Sequence, residues 1–195
     1  MPAWQDLVAL LVAYALGCFA TAYYLVRVWK GQDIRQLGSG NVGGRNAGRV
    51  LGPVGFSIVA VGDALKGLLA VLFARYLGVQ GWMLVLVMLA VLAGHVWPAQ
   101  LGFKGGKGVA TMIGALVGYN ILIPLVLLGL FAVLFAIARS FTIAGLIGIA
   151  LTPLALIPLG RPLVDIVATL AMALIILAAH RENIRAKLRR RAPAS

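Results

Sequence analysis

From about residue 4 to residue 180 the chain is a succession of apolar runs, each long enough for a helix and separated by short segments rich in glycine and basic residues. A run of about 20 apolar residues at about 1.5 Å rise per residue crosses the hydrocarbon core of a bilayer. Repeated along the whole length, with 62% hydrophobic residues and a mean hydropathy of +1.01, this pattern excludes a soluble domain. The alternating signal of a membrane barrel is absent. The expected fold class is an all-α integral membrane protein, one multi-pass domain over residues 1–195 with 181–195 as a basic tail. The first run has Asp6 before it and Arg27 after it, the wrong polarity for a signal peptide, so it is expected to remain as a span.

Spans are predicted at about 4–27, 53–76, 81–98, 107–118, 121–138, 142–159 and 163–180, with ends uncertain by several residues. The stretch from Gly108 to Ala138 reads either as one long tilted helix or as two helices joined near Gly118, Tyr119 and Asn120. Charge decides between them. With seven spans, all but Lys66, Arg75 and Arg161 of the 17 basic residues fall on one side, whereas six spans would move Arg139 and the tail across. The positive-inside rule therefore favours seven, with the N-terminus outside and the C-terminus cytoplasmic. The net charge of +12 is explained by this asymmetry, so nucleic acid is not an expected partner.

The fourth span is short: about 12 residues reach only about 18 Å. Its N-terminus is then expected inside the bilayer, in a cavity where free N–H groups and the positive end of the helix dipole face an anion. Local thinning of the bilayer is the alternative.

Two glycine-rich segments lie on the basic side. Gly38 to Gly52, GSGNVGGRNAGRVLG, holds six glycines, two arginines, two asparagines and no acidic residue. Glycines let the backbone turn with φ > 0 and bring its N–H groups against a ligand, while Ser39, Asn41, Asn46, Arg45 and Arg49 add side-chain donors. If the stretch after Asn41 is helical, Asn41, Arg45 and Arg49 share one face. The segment reads as an anion site or as a flexible basic loop on the membrane surface. Gly102 to Thr111, GFKGGKGVAT, repeats the logic with Lys104, Gly105, Gly106 and Lys107 ahead of the short helix. It is not a Walker A loop, since Leu101 stands where the first glycine is required and Gly108 where a hydroxyl would hold magnesium.

Asp63 and Lys66 stand at i, i+3 within the second span, which marks either a functional site or a neutral pair orienting helices. Arg139, Ser140 and Thr142 lie in the next loop on the basic side. At the end of the last span, His180 and Asn183 are expected to share a face, with Arg181 and Arg185 on another. His95 and Trp97, before Pro98, read as an interfacial helix end. Cys18 is the only cysteine, and with two histidines and five acidic residues no clustered metal site and no cofactor are expected.

These segments resemble the bacterial acyl-phosphate:glycerol-3-phosphate acyltransferases, the PlsY family. The family's GSGN-x-G-x-x-N-x-x-R loop is matched by Gly38, Ser39, Gly40, Asn41, Gly43, Asn46 and Arg49. Its D-x-x-K-G element is matched by Asp63, Lys66 and Gly67. Gly94, His95 and Pro98 followed by Phe103 to Thr111 match its GH-x-x-P and KFKGGKGVAT stretches, and His180, Asn183 and Ile184 its H-x-x-N-I ending. The resemblance covers essentially the whole chain. It implies seven spans, an active site on the cytoplasmic side, and transfer of a fatty acyl group from acyl phosphate to the 1-hydroxyl of glycerol 3-phosphate, giving lysophosphatidic acid. It also implies that Ser39, Arg49, Lys107, His180 and Asn183 bind substrate phosphate or support the reaction, with Lys104, Asp63 and Lys66 assigned more loosely. The chain departs from the pattern in two places. Arg45 replaces a common threonine, which bears on the identity of the acceptor, and Arg139-Ser140-Phe141-Thr142 replaces R-Y-V-S while keeping the final hydroxyl.

Neither a nucleophile–base–acid triad nor a G-x-S-x-G elbow is present, and His95 stands alone. Catalysis is therefore expected from positioning and charge stabilisation: basic loops hold two phosphates, and Asn183 or backbone donors steady the oxyanion. A substrate phosphate or His180 takes the hydroxyl proton. The expected partners are these two substrates and the bilayer, with which a monomer is compatible. The competing reading is a transporter or binding protein for a small organic phosphate, for which the broken-helix geometry also suits, although no internal repeat supports it.

Overall fold

A computed structural model describes residues 4–182 and residue 184, and in them every regular element is helical. The helices are α1 (Trp4–Cys18), α2 (Thr21–Lys30), α3 (Gly44–Tyr76), α4 (Gly81–Val96), α5 (Val109–Tyr119), α6 (Leu122–Ala138), α7 (Phe141–Leu156) and α8 (Leu163–Ala179). Short 3-10 turns at Ile34–Gln36 and Ala99–Leu101 enter the two glycine-rich segments. With α1 and α2 counted as one interrupted span, the expected seven spans are present. Trp4–Lys30, Gly44–Tyr76 and Gly81–Leu101 are long and apolar enough to cross a membrane by length and composition, and four shorter apolar helices complete the bundle.

Two of these elements are bent where the backbone demands it. Gly52 sits at φ 74°, ψ −169° inside α3 and divides it into residues 44–51 and 53–76. Pro53 follows as the first residue of the spanning half, a position that tolerates its missing N–H. The second span thus begins where the sequence places it. The first span differs from the single helix expected over 4–27. It breaks at Phe19 and Ala20, the latter at φ −88°, ψ 81°, and resumes to Lys30.

Close helix packing rests on small residues. A methyl group at Gly17 would strike the Val91 carbonyl and one at Gly94 the Tyr14 carbonyl, so α1 and α4 meet backbone to backbone. Gly67 and Gly114 do the same for α3 and α5, against the Thr111 and Ala64 carbonyls. Between the helices lies an apolar core that includes Met88, Leu92, Leu116, Ile123, Met172 and Ile176. A smaller core of Val26, Ile34, Val42, Ala47, Val59 and Leu101 lies beneath the first glycine-rich segment and gives it a floor.

At the opposite end, Arg75 Nη2 donates to the Tyr119 carbonyl at 2.6 Å and the Tyr119 hydroxyl to Asp165 Oδ1 at 2.6 Å. Arg161 is paired with Asp165 at 2.6 Å. The two arginines expected to face away from the basic loops are thus tied into one cluster joining α3, α5 and α8.

Candidate active site

The first glycine-rich segment is folded around one buried amide. Asn46, 1% exposed, accepts from the Ser39 N–H at 2.9 Å and donates to the Leu37 carbonyl at 2.9 Å and the Ile34 carbonyl at 3.3 Å. The turn this amide spans needs left-handed backbone at Gly38 (φ 57°) and Gly40 (φ 70°), and a side chain at Gly38 would collide with the Asn46 Oδ1. Asn46 was expected among the phosphate ligands; all its hydrogen-bonding atoms instead face the loop, so it shapes the site rather than lining it. Upstream, Asp33 caps the 3-10 turn and pairs with Arg35 at 2.6 Å, and that guanidinium holds its carboxyl below the usual range.

Helix α3 begins at Gly44 because Gly43 is extended, at φ −159° and ψ 171°. Asn41 therefore lies outside the helix, and the expected face shared by Asn41, Arg45 and Arg49 reduces to the two arginines. Both are exposed. Arg45 Nη1 donates to Thr142 Oγ1 at 2.7 Å, joining the first turn of α3 to that of α7.

The second segment folds back on the end of α4. The Gly106 N–H donates to the His95 carbonyl at 3.0 Å and the Gly105 N–H to the Val96 carbonyl at 3.1 Å. Neither position has room for a side chain: a Cβ at Gly106 would strike His95 Nε2 and the Val42 carbonyl, and one at Gly105 the His95 carbonyl. The two glycine-rich segments thus touch through Val42 and Gly106. Gly108, at φ 83°, then caps α5.

Lys107 emerges half-buried at this junction. Burial holds its ammonium below the usual lysine range, Arg45 and Arg49 push it the same way, and Glu182 opposes them. His180, which follows the last residue of α8, is 8% exposed. Its Nδ1 lies 2.8 Å from the Ile176 carbonyl. A carbonyl only accepts, so Nδ1 carries the proton and Nε2 is left as the acceptor. Burial lowers the His180 pKa, the Ile176 contact opposes this, and Lys107 and Arg45 add to the lowering. The structure therefore brings Arg45, Arg49, Lys107, His180 and Glu182 into one electrostatic group beside the Ser39–Gly40 turn. Lys104 and Arg139 are exposed in their loops, and Arg139 caps α6 at φ 45°. Asn183 lies outside the described residues.

Beneath the loops Asp63 and Lys66 form a buried pair at 2.9 Å. His95 differs from its expected role as an interfacial end: it is 6% exposed and faces inward, its Nδ1 3.7 Å from Asp63 Oδ1. Nor does it stand alone: the Asp63 carboxylate faces it on one side and the Gly106 backbone on the other. Sequence reasoning missed Thr21 and Gln100. The Thr21 hydroxyl donates to Asp63 Oδ1 at 3.0 Å, and the Gln100 amide donates to the Cys18 carbonyl, contacts between positions too far apart in the chain to be read from spacing.

Residues 7–190 match the family model described as glycerol-3-phosphate acyltransferase. Glycerol-3-phosphate acyltransferase 1 of Desulfitobacterium hafniense (strain Y51) is 42% identical over 183 residues, covering 94% of this chain and 91% of that relative. The Rubrobacter xylanophilus glycerol-3-phosphate acyltransferase is 38% identical over 187 residues, covering 94% and 92%. Among solved structures, the integral membrane glycerol 3-phosphate acyltransferase PlsY in its glycerol 3-phosphate form superimposes with a TM-score of 0.86 at 32% identity, covering 97% of this chain and 95% of that one. Its lysophosphatidic acid form gives 0.84 at 30% identity, covering 95% and 93%. With the family model spanning nearly the whole chain and the fold agreeing from the first span to the last, this chain belongs to the glycerol-3-phosphate acyltransferase family of PlsY.

Proposed function

We propose that this membrane enzyme, a glycerol-3-phosphate acyltransferase that makes lysophosphatidic acid, takes its acyl group from acyl phosphate. The observation that carries the reading is the convergence of Lys107, Arg45, Arg49 and His180 on the junction of two glycine-rich segments. Such a junction suits two small phosphates. Arg49 and Lys107, with the backbone N–H of Asn41, are assigned to phosphate binding; the N–H groups of Gly40, Gly105 and Gly106, expected as phosphate donors, are already donated to the Leu37, Val96 and His95 carbonyls, so these glycines shape the loops, while Ser39, Lys104, Arg139 and Thr142 complete the rim.

In the proposed step the 1-hydroxyl oxygen of glycerol 3-phosphate attacks the acyl carbonyl carbon. The new ester C–O bond forms as the acyl C–O bond to phosphate breaks, and inorganic phosphate departs with the bonding pair. The hydroxyl proton passes to that phosphate or to Nε2 of His180. The lowered pKa keeps His180 neutral at pH 7, the form that accepts a proton. Lys107, Arg49 and the amide of Asn183 are assigned to the negative charge that develops on the carbonyl oxygen and the leaving phosphate. Asp63, Lys66 and His95 support the site from below. The family assignment replaces the transport alternative.

The positive-inside rule supports a cytoplasmic site, with the N-terminus outside and the C-terminus inside the cell. Purified enzyme in detergent, given glycerol 3-phosphate and either palmitoyl phosphate or palmitoyl-coenzyme A, should form lysophosphatidic acid from the first alone. Equal rates from the thioester would overturn the donor assignment.

A further inference from the structure

The break in the first span leaves the Phe19 carbonyl without an intrahelical partner, and a buried side chain from another helix takes it up. Ala20 is not helical, so the Phe19 carbonyl is released; it accepts from Lys66 Nζ at 2.8 Å. Lys66 is paired with Asp63 at 2.9 Å, Asp63 accepts from Thr21 on the far side of the break, and His95 Nδ1 lies 3.7 Å from the same carboxylate oxygen. His95 then meets the second glycine-rich segment twice: its carbonyl accepts from the Gly106 N–H, and its Nε2 lies where a Gly106 side chain would be. A continuous polar line thus runs from the broken span, through a buried ion pair on α3, to the turn that carries Lys107.

A buried ion pair seldom adds stability over an apolar pair of the same size. Placed between a helix break and a glycine turn, it supplies geometry instead. We propose that Asp63, Lys66 and His95 form a positioning strut that fixes the Gly105–Lys107 turn against the first glycine-rich segment and so sets the place of the Lys107 ammonium. The strut is separate from the phosphate-binding group, since none of the three side chains is exposed enough to touch a substrate. Its effect on catalysis rests on the reading that Lys107 binds substrate phosphate.

The test compares the full-length enzyme with Lys66→Met, Asp63→Asn, Lys66→Arg and Lys107→Ala in detergent, by amide hydrogen exchange and steady-state kinetics on the folded fraction. Lys66→Met and Asp63→Asn are expected to speed exchange of the 102–108 segment by roughly tenfold while α8 is unchanged. The same variants are expected to raise the KM for glycerol 3-phosphate roughly tenfold, with Lys66→Arg within about threefold of wild type. In a Lys107→Ala background, Lys66→Met should change KM by less than about twofold, because the group it positions is gone. Exchange that rises throughout the bundle, or that stays at the wild-type rate in the 102–108 segment, overturns the strut. A wild-type KM in Lys107→Ala alone, with faster exchange confined to 102–108 in Lys66→Met, removes Lys107 from phosphate binding and leaves the strut standing.

Discussion

Arg45 and Thr142, 97 residues apart, are joined by a 2.7 Å hydrogen bond from the guanidinium to the hydroxyl. The bond ties the first turn of α3 to the first turn of α7, across the rim of the site. Arg45 stands where the resemblance read from the sequence expects a threonine. Arg45 also acts electrostatically on both Lys107 and His180. It therefore serves as a clasp between α3 and α7 and as an added positive charge beside Lys107 and His180.

Arg45→Thr is expected to raise the KM for glycerol 3-phosphate by roughly threefold to tenfold, a charge-assisted contact discounted for its exposure. Thr142→Val should cost less on its own and add little to Arg45→Thr, since both remove the same clasp. A KM for glycerol 3-phosphate that stays constant while activity follows anionic lipid content would make Arg45 a headgroup anchor.

Lys107 gives the alkaline limb of the pH profile. Its ammonium is charged below its pKa, so phosphate binding is present at lower pH and lost as pH rises through that value. Because burial and then Arg45 lower it, the KM for glycerol 3-phosphate should begin to climb at a pH below that of an exposed lysine. Glu182 opposes the lowering, so Glu182→Gln should move the limb further down, while Arg45→Thr should move it up. Identical limbs in all three proteins would exclude Lys107 as the titrating group.

The seven spans, the short fourth helix and the start of the second span at Pro53 were legible because apolar runs and proline act locally. The glycine-rich loops were legible for the same reason. What the sequence hid depends on contacts across the fold. The Phe19–Ala20 break lies in an uninterrupted apolar run and is stabilised by Lys66 and Gln100, 47 and 82 positions away from the carbonyls they cap. Asn46 looked like a ligand because it stands among phosphate donors, and only the loop's curl shows its amide turned inward. His95 looked interfacial because it ends a helix beside Trp97, yet Asp63 opposite draws it in.

Asn46 is thus the residue whose loss should disorder the first glycine-rich segment. Asn46→Ala leaves the Ser39 N–H without this partner and removes one of the two hydrogen bonds that the Leu37 and Ile34 carbonyls each accept. Losing these bonds around a buried amide costs about 1–3 kcal/mol, so thermal unfolding in detergent should occur several degrees lower and the KM should rise as Ser39 loses its tether. Wild-type stability together with a raised KM would return Asn46 to the ligand set.

Ser39 is exposed in this turn, and its backbone N–H, rather than its hydroxyl, is the group held by Asn46. With no base against the hydroxyl among the described residues, it is poorly suited to carry the acyl group. Ser39→Ala should reduce kcat/KM by roughly tenfold to a hundredfold through lost phosphate contact. Intact-mass spectrometry of the wild-type enzyme quenched during turnover should show no acylated protein, and an acyl adduct on Ser39 would reverse this assignment.

The orientation of the bundle follows from the charge at its two ends. One end carries Arg27, Lys30, Arg35, Arg45, Arg49, Lys104, Lys107 and Arg139; at the other, Arg161 is neutralised by Asp165 and Arg75 is turned onto the Tyr119 carbonyl. By the positive-inside rule, that imbalance is expected to set the loop end in the cytoplasm. In a Cys18→Ser background, single cysteines replacing Gln36, Lys104 and Tyr76 fall at exposed positions, so labelling reports sidedness rather than burial. A membrane-impermeant maleimide added to intact cells should react with the Tyr76→Cys protein at once and with the Gln36→Cys and Lys104→Cys proteins only after permeabilisation. The reverse order, in variants that retain activity, would place the catalytic loops outside the cell, where neither an intracellular acyl donor nor glycerol 3-phosphate would reach them.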